Sequence, residues 1–171
     1  MDVKSSGSKE LLEAFRLHRK LTLDLLLSLD NEQLTWRPIK ATGSFGKQFR
    51  HLLDVQRSYV DSMFTGVLDF LRSDIDHALE NDRGKLLESL REEDRRLESK
   101  LSTISAVKLF SHSIDCSSVV KYLGEDNRTA SIEQIISWMT EHEVFHDGEL
   151  ALYVRSSGMG FPKSWMIWGL K

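Results

Sequence analysis

Between Ser131 and Gly158 the chain reads "SIEQIISWMTEHEVFHDGELALYVRSSG", the clearest helical pattern in the sequence. Ile132, Ile135, Ile136, Met139, Leu150 and Tyr153 recur at helical spacing and mark a stripe for burial. Ser131 and Gln134 stand three apart, as in a capping box, and Arg155 followed by Gly158 supplies a basic last turn and a glycine stop. The pattern predicts a helix over about 132–157, whose apolar stripe must be covered by other helices.

Only two prolines, Pro38 and Pro162, interrupt the chain, so long helices are permitted almost throughout. Leu11, Leu12, Phe15, Leu25, Leu26 and Leu29 predict a first amphipathic helix from about Ser8 to Leu29. The stretch "NEQLTWRPIKATG" reads as a connector, because Pro38 and Gly43 oppose helix continuation. Ser44 is suited to cap a second helix that carries Phe45, Phe49, Leu52, Leu53, Tyr59, Val60 and Met63 and runs to about Gly66. A further helical run is expected over roughly 67–80. Another follows in "DRGKLLESLREEDRRLESKLSTI", whose arginines alternate with acids as on a solvated face. In residues 105–128 the segment "SSVVKYL" reads equally as a short strand or a helical turn. Four main helices with little β signal imply an all-α bundle forming a single domain over residues 1–171.

With 171 residues, 40% of them hydrophobic, the chain can bury one real core. A net charge of −3 gives no footprint for a phosphate backbone, so nucleic acid is not an expected partner. The single cysteine, Cys116, forms no internal disulfide and fits a reducing compartment. "MDVKSSGSKE" lacks the apolar core of a signal peptide and no long apolar run follows, so a cytoplasmic protein without membrane contact is expected. At the other end, "GFPKSWMIWGLK" is so apolar that it must pack somewhere. The stop at Gly158 and the turn at Pro162 favour its own chain over a dimer interface.

Within the last helix, "HEVFH" is a literal H-E-x-x-H, the string of helix-borne zinc sites with a glutamate general base. His142 and His146 follow Met139 at three and four residues, which places both imidazoles on the apolar stripe. Burying them side by side is unfavourable unless each ring nitrogen has a partner, and one divalent metal meets that need. Two core histidines bonded to Glu141, Glu143, Asp147 or Glu149 would meet it as well. A metalloprotease needs a third ligand downstream, yet "LALYVRSSGMGFPKSWMIWGLK" holds no Asp, Glu, His or Cys. A third ligand must therefore come from upstream, from His18, His51, His77 or His112. Periodicity favours His18 and does not by itself choose His51. His112 and Cys116 stand four apart, but in a segment that is not clearly helical.

Three stretches taken in order are similar to the DinB-like (damage-inducible) metalloproteins. They are "LDNEQLTWRP" closing the first helix, "GSFGKQFRHLLDVQRSYV" in the second, and "HEVFHDGELALYVRSSGMGFP" in the last. The resemblance implies a four-helix bundle with a long crossover connection, often dimeric, holding nickel or zinc with coordination positions left open. It places the metal ligands at His51, His142 and His146, leaves His18 in the core or behind the site, and makes Glu143 incidental or supporting. Many relatives carry an acid five residues after the second-helix histidine, where this chain has Gln56.

Three neutral imidazoles leave a divalent cation its full charge and an open position, a catalytic type of site. Family members include transferases and isomerases that use low-molecular-weight thiols. The resemblance thus implies a thiol S-transferase acting on a small-molecule electrophile. The alternatives are a small-molecule hydrolase with Glu143 as catalytic base, and a non-catalytic, metal-stabilised homodimer.

Overall fold

The computed structural model describes residues 6–71, 74–124 and 128–170. Four long helices dominate: α1 (Ser6–Ser28), α2 (Phe45–Thr65), α3 (Arg83–Thr103) and, after shorter elements, α6 (Ile132–Ser157). Helix α1 packs against α6 and α3, and α2 packs against the same two. The fold is all-α, as the spacing implies.

Local chemistry sets the helix ends where the sequence places them. Ser44 accepts a hydrogen bond from the Lys47 amide at 3.2 Å, and Asp82 does the same for Lys85 at 3.0 Å. Both bonds of the Ser131/Gln134 capping box are made, at 3.2 and 2.8 Å. Gly66 and Gly158 end α2 and α6 with φ of 78° and 73°, a conformation that side chains with a Cβ seldom adopt.

The core falls into two apolar clusters. One joins Leu25, Leu26, Phe45, Phe49, Leu150, Val154 and Trp165; the other joins Phe15, Val60, Met63, Leu97, Ile135 and Ile136. Each such side chain removed from water stabilises the fold by about 1.5–3 kcal/mol. Between the clusters lie buried polar groups, among them Arg19, Thr22, Gln56 and Glu143.

Two segments differ from expectation. The helix anticipated over 67–80 is absent among the described residues. Val67 forms a parallel bridge with Asp115, and among the described residues of this stretch His77–Asn81 coils into a 3-10 turn just before α3. Acids compete for the backbone here: Asp69 accepts from the Leu71 amide and Asp76 from the Ala78 amide. In the connector from α3 to α6, α4 (Ala106–Ser111) precedes β1 (Ile114–Asp115), and α5 (Val120–Leu123) precedes β2 (Thr129–Ala130). The two strands pair antiparallel, Ile114 opposite Ala130. "SSVVKYL" is thus a helical turn, a 3-10 turn at Ser117–Val119 leading into α5.

The apolar tail packs on its own chain. Trp165 is 1% exposed and its indole N–H donates to the Leu21 carbonyl at 3.0 Å, while Met166, Ile167 and Trp168 stay half-exposed or more.

At Gly46 the first turn of α2 lies against the Glu80 backbone, in the segment before α3. A Cβ added there would lie 1.8 Å from the Glu80 carbonyl oxygen. Backbone must therefore move, and Gly46→Ala is expected to destabilise the protein by about 2 kcal/mol or more. An unchanged urea midpoint for the variant would contradict that packing.

Candidate metal centre

His51 lies on α2 one helical turn below Asp54 and Val55, while His142 and His146 lie one turn apart on α6. Their ring nitrogens converge. Nε2 of His142 is 3.2 Å from Nε2 of His51 and 3.2 Å from Nε2 of His146, and the three donor atoms all lie within 4.8 Å of one another. His146 is buried; His51 and His142 are partly open.

Two nitrogens 3.2 Å apart can both sit about 2.0–2.1 Å from one cation, at an angle of about 100°. That angle leaves the far side of the cation free. The alternative, a chain of imidazole hydrogen bonds, fits less well: as a donor the His142 Nε2–H serves only one of its two neighbours. The donor set therefore suits a divalent metal.

The rings are poor proton acceptors. Burial lowers the pKa of His142 to about 3, helped by the neighbouring His146 and His51, and burial lowers that of His146 to about 4. Burial also lowers that of His51, with smaller contributions from His146 and Arg50. All three are neutral near pH 7, the form that binds a metal. Behind the cluster, Nδ1 of His146 lies 2.8 Å from Oε2 of Glu149. The N–H direction misses that oxygen, so Nδ1 makes no hydrogen bond among the described residues.

Glu143 and Asp147 form the adjacent ridge of α6 and face α1 instead. Thr22 donates to Glu143 Oε1, and Arg19 Nη2 lies 3.2 Å from Glu143 Oε2. Asp147 takes Thr22 at 3.3 Å on one oxygen and meets Nδ1 of His18 at 3.1 Å on the other. Arg19 also donates to Gln56 at 2.8 Å, and Gln56 donates to Asp94 at 2.8 Å. Burial raises the Asp147 carboxyl to about 8, with the Glu143 charge adding to it, and burial raises Glu143 and Asp94 as well.

The anticipated ligands thus come together, and the other candidates lie elsewhere. His18 pairs with Asp147 on the adjacent ridge of α6 and lies 5.7 Å from the Trp168 ring. His77 and His112 are exposed on other segments, and Cys116 is fully buried with its thiol on the Ile114 carbonyl. Gln56 belongs to the Arg19 network rather than to the histidines. Arg19 and Thr22 were not singled out by the motifs. Their sequence signal is a gap: they fill the helical positions between Phe15 and Leu25 where the apolar stripe of α1 is interrupted, as Glu143, His146 and Asp147 interrupt that of α6.

These features define an all-α protein with a three-histidine cluster between two of its long helices. The family profile of the DinB superfamily matches residues 14–150, so the chain belongs to the DinB superfamily. That span includes all three histidines. No curated protein matches the chain.

In the metal-free protein, the ring protons of His142 and His146 should show no titration step between about pH 8 and 5, whereas an ordinary imidazole titrates near 6.5. NMR midpoints near 6.5 for either ring would show that the cluster does not shed protons as its burial requires.

Proposed function

We propose that this protein is a metal-dependent enzyme of the thiol S-transferase type, with His51, His142 and His146 holding one zinc or nickel ion. The observation that carries the reading is the convergence of the three Nε2 atoms, with 3.2 Å between His142 and each of the other two, on neutral rings. A divalent cation bound there would keep its full charge, since no ligand is anionic, and would lower the pKa of a thiol presented to it.

The chain's own part is to hold and expose. Helices α2 and α6 fix the rings, and the partly open rings of His51 and His142 border a cleft in which a small thiol and its electrophile can meet. In the proposed reaction the thiolate sulfur forms a bond to an electrophilic carbon, the leaving group departs with its electron pair, and the thiol proton passes to solvent. A reducing cytoplasm, where low-molecular-weight thiols stay reduced, is the proposed setting.

The hydrolase alternative assigns Glu143 as base. Its side chain is 2% exposed, with one oxygen on Thr22 and the other on Arg19. That environment favours a positioning role, setting the rotation of α6, over proton abstraction from a bound water. The non-catalytic alternative, a homodimer stabilised by its metal, requires the apo chain to unfold easily.

Purified from metal-replete medium without an affinity tag, the protein should carry about one equivalent of zinc or nickel per chain, and His142→Ala should lose it. The loaded protein should accelerate addition of glutathione or cysteine to 1-chloro-2,4-dinitrobenzene, and Glu143→Gln should keep its metal. Undiminished metal in His142→Ala would end the metal reading. Loaded protein inert toward thiols, with apo protein too unstable to isolate, would select the non-catalytic one. Hydrolytic turnover abolished in Glu143→Gln with metal retained would select the hydrolase.

A further inference from the structure

On α2, His51, Asp54, Val55 and Ser58 are spaced three and four apart and share one face. This face floors a cleft of about 540 Å³ that begins at His51 and His142, a size suited to a small organic ligand. One wall is aromatic and continuous. Tyr59 meets Phe70 edge-on at 5.4 Å, and Phe70 meets Tyr122 of α5 at 6.2 Å.

The floor is polar and incomplete. Asp54 is 7% exposed and Ser58 3%, yet Asp54 Oδ1 and Ser58 Oγ have no hydrogen-bond partner among the described residues. The orientation of Asp54 is fixed. Its other oxygen takes Nη1 of Arg50, whose Nε is held by Glu80 at 2.7 Å. The Arg50 charge is thereby occupied, and Asp54 Oδ1 is left as an acceptor one helical turn from Ser58. Buried acceptors without donors are unfavourable, and such exceptions in a folded protein mark places where something else binds.

We propose that this cleft is the substrate subsite and that it takes a primary amine carried on an aromatic or alkyl body. The ammonium donates to Asp54 Oδ1 and Ser58 Oγ, which are closed off in this structure and open to the cleft by small movements of neighbouring side chains, while the body lies along Tyr59, Phe70 and Tyr122. The choice follows from charge. Asp54 Oδ1 is an acceptor on a carboxylate, so an anion would be repelled and a cationic donor is favoured, while Ser58 Oγ, which can accept as well as donate, takes a second N–H of the same group. Aromatic faces beside the floor favour a cation further. The inference rests on the metal reading only for which end of the ligand faces His51 and His142.

The test uses zinc-loaded full chain, titrated calorimetrically with 5-aminopentane-1-thiol, whose amine is too far from the sulfur to close a small chelate ring on the metal, and with pentane-1-thiol, which lacks the amine. The amine should improve the dissociation constant by about tenfold or more, as expected for hydrogen bonds to a charged donor. Asp54→Asn and Ser58→Ala should each shrink that advantage and leave the amine-free thiol unchanged. Ser58→Ala keeps the test open if the Asp54 variant does not fold. Equal binding of the two thiols by the parent protein would overturn the subsite while leaving the metal reading intact. If neither thiol binds the zinc-loaded protein, the thiol-transferase reading fails alone, and 3-phenylpropylamine titrated into metal-free protein decides the subsite. Saturable NMR shifts at the Ser58 and Tyr59 amides uphold it, and their absence overturns it.

Discussion

The rotation of α6 about its own axis decides whether the three histidines meet. Residues 142 and 146 form one ridge of that helix and residues 143 and 147 the next, about 100° around the axis. Glu143 and Asp147 are taken by Thr22, Arg19 and His18, all on α1. With that ridge locked onto α1, the histidine ridge has no choice but to face α2, where His51 waits. The ion pair and hydroxyl contacts are directional in a way that apolar packing is not, so they specify rotation where leucines would tolerate slippage.

This specification has a thermodynamic cost. Arg19, 3% exposed, pairs with both Glu143 and Asp94, while Asp147 turns to His18 and Thr22, so one arginine serves two of the layer's three acids. Burial accordingly pushes all three carboxyls upward, Asp147 to about 8, so that near neutral pH this group holds its proton. Arg19 Nε and Nη1 are still without hydrogen-bond partners among the described residues. Buried charge paired this incompletely adds little net stability. The apolar clusters on either side of the layer supply the stability, and the polar layer supplies the register.

Much of this was legible in the sequence, for identifiable reasons. Caps and periodicity are local properties, so Ser44, Gly66, Ser131 and Gly158 locate the ends of α2 and α6 to within a residue. The pair His142 and His146 is legible because one helix carries both. The third histidine is not, since which upstream residue reaches the pair depends on how α1 and α2 pack, and periodicity favoured His18. The stripe does run through His18, but toward Asp147 on the α1 side of α6. Only the family resemblance pointed to His51. The helix expected over 67–80 failed because weak apolar spacing there competes with Asp69 and Asp76, which draw the backbone amides into local turns.

That same segment turns out to matter for the centre. The Glu80 carbonyl fits against Gly46 only because glycine offers no Cβ, and this closeness lets the Glu80 carboxylate reach Arg50 at 2.7 Å. Arg50 in turn orients Asp54, one turn above His51 on the same helix. A glycine in the first turn of α2 is therefore connected, through one carbonyl and two ion pairs, to the polar floor of the cleft. Its role is packing, yet what it packs is the support of the residues that face the ligand. Substitutions at Gly46 should accordingly be read on the cleft as well as on stability, because a shift of the Glu80 backbone frees Arg50 and with it the one constraint on where Asp54 Oδ1 points.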